Sequence, residues 1–299
     1  MSEALEIFDI CQTLIISMAL IITIPPACFV YFKLLFVPPI TSNYTFKLIV
    51  FNGVAELTYC VVYLFAFQFA SYPFMTGFYE LLMDRGLVIM ISTIHSYLKV
   101  LTLSTAFFVA LNRAKSIKFL RKSSNDSRFF FVSVVVSLVL PIPITCDVCI
   151  FSQLEYEEFE FGGSVVYLPH EVTNGDILRK ASDALSIILS IITLIVNIFL
   201  SVILARERKY IDKADMNKFN GEKGLIITSI VSYAFYMLCF ASNILARYFD
   251  VLFCGFVQWL FLGLNSITPF WCIILFTPTV RRLAFSKQRE GKPIVVLSQ

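Results

Sequence analysis

Charge is what this sequence has least of. Only 15% of its 299 residues are Asp, Glu, Lys or Arg, against 58% in the hydrophobic set, and mean hydropathy is +0.79. A soluble domain keeps roughly a quarter of its residues charged to face water. This chain cannot cover itself that way, so its outer surface must face lipid. Histidine is nearly absent, with His95 and His170 alone. That leaves Cys146-x-x-Cys149 without partners for a zinc site and leaves no paired acids and bases for an intramembrane enzyme. No metal or cofactor is implied, and the other cysteines fall mostly inside apolar runs, where Cys packs as a small hydrophobe. A net charge of +3, with no basic patch interleaved with aromatics, excludes nucleic acid as a partner. Tryptophan occurs twice, so the 31 phenylalanines, with Leu and Ile, carry the apolar bulk.

What is present in quantity is long apolar runs. A spanning helix needs roughly 20 mostly apolar residues. Seven windows satisfy this, at 10–32, 48–69, 87–111, 129–151, 184–205, 224–246 and 252–276. They are too long and continuous for a transmembrane barrel, whose strands alternate over about ten residues. The predicted fold is therefore all-α, a polytopic seven-helix bundle over residues 1–285, with a short surface helix at about 279–286 and a tail at 286–299. That surface helix would place Val280, Leu283 and Ala284 on one face beside Arg281 and Arg282. The first window is read as a helix and not as a cleaved signal, because it opens on Glu3, Glu6 and Asp9 in place of basic residues. Pro25-Pro26 should bend it.

Orientation follows from the loops. One side carries Lys33 and Lys47, the run from Arg113 to Arg128, the run from Arg206 to Lys223, and Arg281 to Lys292. The other carries only Arg85, Arg179, Lys180 and Arg247. The basic side is expected to be cytoplasmic, with the N-terminus outside and the C-terminus inside. Both sequons, Asn43-Tyr44-Thr45 and Asn125-Asp126-Ser127, then lie inside and should carry no glycan. The outer side is acidic. The run Glu155-Tyr156-Glu157-Glu158-Phe159-Glu160 reads as a solvated loop, or as a gate that sorts ligands by charge.

An ionisable group at membrane depth costs roughly 2.5–3.5 kcal/mol on insertion scales, so each asks for a partner. Glu56 should lie about 14 Å from the inner end of the second helix and Lys99 about 18 Å from that of the third, at 1.5 Å per residue. Similar depths on neighbouring helices suggest a Glu56–Lys99 ion pair. His95 is one turn outward of Lys99, so His95, Lys99 and Thr102 form a polar line on the third helix. That line is either a structural seam, the floor of a ligand pocket, or a proton relay. Asn265, Ser266 and Thr268 precede Pro269 in the last helix and could satisfy the carbonyl that Pro269 frees, which completes an intramembrane polar cluster.

The end of the third helix, Leu111-Asn112-Arg113-Ala114-Lys115-Ser116-Ile117, resembles the Asn-Arg form that nematode chemoreceptors carry where other G-protein-coupled receptors have Asp-Arg-Tyr. Phe161-Gly162-Gly163 followed by Tyr167 is similar to the serpentine receptor class gamma family. So are Glu222-Lys223 and the run from Pro269 to Leu275 that leads to Arg281-Arg282. The sister nematode classes V, T, X and U are the alternatives. The resemblance spans nearly the whole chain. It implies a sensory receptor of the plasma membrane, of a kind carried on the cilia of chemosensory neurons, coupled to a heterotrimeric G protein. On that reading Arg113 is a hinge that meets the G protein, with Asn112, Lys115, Arg206, Arg208, Lys209, Arg281 and Arg282 on the same face; the plainer reading makes Arg113 one more basic anchor. By its spacing from Arg113, His95 falls where many receptors contact ligand. The small-molecule pocket would be bounded by His95, Lys99, Tyr233, Tyr236 and Gln258. Glu56 resembles the acidic residue that holds sodium in many receptors. Departures are plain as well: no Cys stands at the outer end of the third helix, the sixth helix lacks Pro, the fourth lacks Trp, and the seventh lacks the Lys that would bind retinal. A multi-pass transporter or channel using Glu56 and Lys99 is the rival reading.

Overall fold

The computed structural model describes residues 3–36, 44–118, 127–143, 145–146, 152–161, 164–173, 176–207, 216–249, 252–278 and 280–281, with the side chains of some of these left aside. Helices dominate. They are α1 (Glu3–Phe36), α2 (Tyr44–Tyr63), α3 (Thr76–Asp84), α4 (Val88–Lys118), α5 (Ser127–Val139), α6 (Asp176–Glu207), α7 (Met216–Phe249) and α8 (Leu252–Phe276). Six helices are long and apolar enough to cross a bilayer, and the fourth expected span is a shorter apolar helix, Ser127–Pro143. Its regular part stops at Val139, just before Pro141 and Pro143. A proline disfavours helix in the residue before it, which accounts for the turn at Leu140; residues 141–143 and 145–146 are again helical, and 144 and 147–151 lie outside the described residues.

The all-α expectation needs one amendment among the described residues. The acidic run read as a solvated loop is a β-hairpin, β1 (Ser152–Phe161) paired antiparallel with β2 (Ser164–Thr173). Tyr156 is buried while Glu157 is exposed. Its neighbour Glu158 is exposed as well.

The helices are inside-out relative to those of a soluble protein. On α6, Ser186, Ser190, Thr193 and Asn197 are all buried, whereas Ile188, Ile191, Ile195 and Phe199 are exposed. On α5, Ser133 and Ser137 are buried while Phe131, Val132 and Val135 are exposed. Small polar side chains let helices approach closely, and with lipid outside there is no gain from hiding Ile or Phe. This distribution is the physical signature of a bundle whose solvent is hydrocarbon.

The chain divides into two compact units, one formed by Met1–Gly53, Ala106–Val132 and Ile191–Gln299, the other by Val54–Thr105 and Ser133–Ser190. In the first, α1 packs on α8. The Trp271 indole donates to Thr23 Oγ1 at 3.0 Å, and Tyr31 meets Phe270 edge-on at 5.9 Å. The assigned helix α1 runs through Pro25 and Pro26 without a break. Helices α7 and α8 pack on each other, and among the described glycines the closest approach is at Gly224, whose Cα faces the Phe276 carbonyl and the Thr277 nitrogen. A Cβ there would strike backbone, which cannot rotate away. Gly224→Ala should therefore destabilise the protein by about 1–3 kcal/mol, visible as a lower melting temperature in detergent. Gly77→Ala, whose added Cβ meets nothing within 4 Å, serves as the contrast and should be neutral or slightly stabilising.

In the second unit, α2 ends in a π turn, Leu64–Gln68, in which the Phe69 N–H reaches back to the Leu64 carbonyl. Two 3₁₀ turns follow, Phe69–Ser71 and Pro73–Met75, and lead into α3. The hairpin packs on these turns and on α3 around Ala70, Tyr79, Leu82, Val88, Tyr156 and Tyr167.

Candidate functional site

His95 sits on α4 inside a wall of rings supplied by α2 and its π turn. Tyr59 stacks on the imidazole at 5.3 Å, Tyr63 lies at 5.7 Å, and Phe67 meets it edge-on at 4.8 Å. Residues 59 and 63 are one helical turn apart and share a face, and Phe67, four further on, is brought round to that face by the π turn. Attention to polar residues alone missed these three aromatics, although their regular spacing was visible in the sequence.

Below this layer lie the two intramembrane charges. Glu56 is buried, and Lys99 is half-buried. The Tyr59–His95 contact fixes the register of α2 against α4. Because the two helices are joined by a connection that reverses direction, Glu56, three residues before Tyr59, and Lys99, four after His95, both lie about one turn beyond that contact toward the same end. Thr102 is half-buried on the same helix. Its hydroxyl donates to the Lys99 carbonyl at 2.9 Å, within its own helix.

The remaining candidates belong to the other unit. Tyr233 is buried and Tyr236 half-buried on α7, with their rings 6.0 Å apart, and Gln258 is half-buried on α8 next to the fully buried Trp259. Asn265 is buried and Thr268 half-buried before Pro269. Ser266 donates to the Leu262 carbonyl at 3.1 Å, so its hydroxyl does not serve the Asn265 carbonyl that Pro269 deprives of a donor.

At the expected inner end of α4, Arg113 is only 1% exposed. Beside it, Asn112 Nδ2 donates to Thr45 Oγ1 at 2.7 Å, tying the end of α4 to the start of α2. Lys115 lies 5.1 Å over the Phe129 ring, and Ala114 joins a small core with Leu200 and Ile226. Arg206 and Arg281 are exposed, and Arg281 Nη1 donates to the Leu275 carbonyl at 3.4 Å. Arg208, Lys209 and Arg282, with most of the expected surface helix, lie outside the described residues.

On the expected outer side, three tyrosines form the core of the hairpin packing. Tyr156 donates to the Ala66 carbonyl at 2.8 Å, Tyr79 donates to the Phe65 carbonyl, and Tyr167 donates to Glu158 Oε1, directly opposite in the ladder, at 3.3 Å. Burial pushes the Tyr79 and Tyr156 phenols well above their ordinary range, and for Tyr79 the neighbouring Tyr156 adds to the shift. A phenol with a raised folded pKa stabilises the fold fully below its unfolded value of about 10 and loses that contribution as the pH climbs through the folded value. The hairpin should therefore be insensitive to pH from neutral to about 9 and loosen only in stronger alkali. A pH titration of phenolate absorbance should show these tyrosines ionising last.

Lipid-facing apolar helices with buried polar seams, a basic Asn-Arg helix end and an aromatic-walled histidine together define a multi-pass membrane protein of serpentine receptor type. The family model described as Srg family chemoreceptor matches residues 13–279, and the chain belongs to that family, a nematode serpentine receptor family and not an enzyme family. No curated protein matches the chain.

Proposed function

We propose that the protein binds a small molecule in the half of its bundle that faces outward and relays binding to a heterotrimeric G protein on the cytoplasmic side. In the second unit the ring-walled His95, with Lys99 one turn beyond it, is the candidate ligand contact; in the first unit the candidates are Tyr233, Tyr236 and Gln258. Asn112, Arg113, Lys115, Arg206 and Arg281 form the G-protein face, joined by Arg208, Lys209 and Arg282. The orientation is N-terminus outside, in the plasma membrane of a sensory cell. Glu56 and Lys99 pair within the membrane.

The observation that carries this reading is the burial of Arg113 at a helix end bonded to α2 through Asn112 and Thr45. A basic group withdrawn from water next to the interhelical bond of Asn112 with Thr45 suits a switch with two packings, and a ligand shifts such a switch by its differential affinity for the two. The test is expression in a reporter cell carrying G proteins, challenged with odorants and ascaroside-like compounds, with Arg113→Ala in parallel. A response that depends on the G protein and on Arg113 supports the reading. Currents or uptake in cells without G protein would instead favour a transporter or channel.

A further inference from the structure

We propose that Tyr79 and Tyr156 are positioning residues that hold the wall around His95 in place from outside the membrane span. The inference deepens the ligand-site reading of His95 and rests on it for its purpose, though not for its geometry.

The last carbonyls of a helix have no N–H of their own helix to accept from, and at a membrane boundary an unmet carbonyl is expensive. Helix α2 meets this at Phe65 and Ala66, inside the π turn, by accepting the hydroxyls of Tyr79 from α3 and Tyr156 from the hairpin. The next residue along is Phe67, the edge-on wall of His95. A π turn is strained relative to α-helix and persists where something rewards it, often at a functional site. Here the reward is on the page: two buried phenols, tilted against each other at 5.0 Å, aimed at consecutive carbonyls of that turn. Without them the turn can relax to regular helix, and the residues beyond Tyr63 are re-aimed by up to about 100°, one residue's rotation. Phe67 then leaves His95. The hairpin and the wall are thus mechanically joined, so a ligand that displaces Phe67 loosens the hairpin, and a hairpin that lifts opens the wall.

The probe is Phe67→Cys in native-membrane fragments open on both faces. Its modification rate by a charged methanethiosulfonate reagent is measured against a parent retaining Phe67. Adding Tyr156→Phe and Tyr79→Phe, which keep both rings and delete both donors, should speed labelling about tenfold, an effect on the order of one interhelical bond. Tyr167→Phe is the control. Its hydroxyl bonds Glu158 and no helix carbonyl, so its removal should leave the rate unchanged. If the double variant is retained inside the cell, Tyr156→Phe alone gives the readout with a smaller acceleration. An unchanged rate in the tyrosine variants, or an equal acceleration by Tyr167→Phe, overturns the proposal. Labelling needs no ligand, so a coupled wall in a receptor silent to every compound would count against the His95 pocket and leave the coupling intact.

Discussion

Arg113→Ala should reach the membrane and stay silent. The expected loss of G-protein signal is at least tenfold at saturating ligand, with ligand affinity changed far less. The reason lies in where the side chain is. At 1% exposure, Arg113 is buried at the end of α4 and can reach a cytoplasmic partner only if the surrounding helices repack. Alanine removes the group that would be delivered by that repacking. Arg113→Lys separates charge from shape: a guanidinium offers a planar fork of donors that an ammonium cannot match, so lysine should recover only part of the signal. Asn112→Ala provides the opposite sign. Its bond to Thr45 holds the end of α4 to α2, and without it basal signalling should rise, because the resting packing loses about 1 kcal/mol relative to the active one. Equal signalling by Arg113→Ala and the parent in a reporter assay corrected for surface density would remove the switch from this helix end.

The largest loss of stability is expected at Glu56. Glu56→Ala or Lys99→Ala alone strands a charge within the membrane span and should cost about 3–5 kcal/mol, enough to retain most of the protein inside the cell. The exchange Glu56→Lys with Lys99→Glu keeps one of each sign and should restore much of the surface expression. The contact of Tyr59 with His95 supports this pairing, because it sets both charges about one turn beyond the same point on adjacent helices. Surface labelling of the four proteins decides the matter; an exchange as poorly expressed as the single variants means that the two charges are solvated separately.

Much of the architecture was legible because hydrocarbon imposes so simple a rule on sequence. Continuous apolar runs of spanning length locate α1, α2, α4, α6, α7 and α8. The hairpin was hidden by its glutamates: four acidic residues within 155–160 read as water-facing loop, while Tyr156 and Tyr167, the residues that fold it down, owe their burial to α3 and the π turn, far away in sequence. The π turn itself leaves no mark in Leu64–Gln68, because it exists through bonds to Phe65 and Ala66 from distant tyrosines. The buried seam Ser186, Ser190, Thr193 and Asn197 is plain as a helical period, yet it is easily lost inside a window scored only for hydropathy. His95 is legible in the sequence through its helical spacing from Lys99 and Arg113, whereas its aromatic surroundings on α2 read there as apolar bulk.

The hairpin is fastened to its helix by phenols. Bonds of that kind neither form nor break by thiol chemistry, so this particular contact is indifferent to the redox state around it. It also makes detachment a thermal event and not a chemical one: two hydrogen bonds and a patch of rings can part and rejoin many times in a receptor's life, where a covalent tether would have closed that door once.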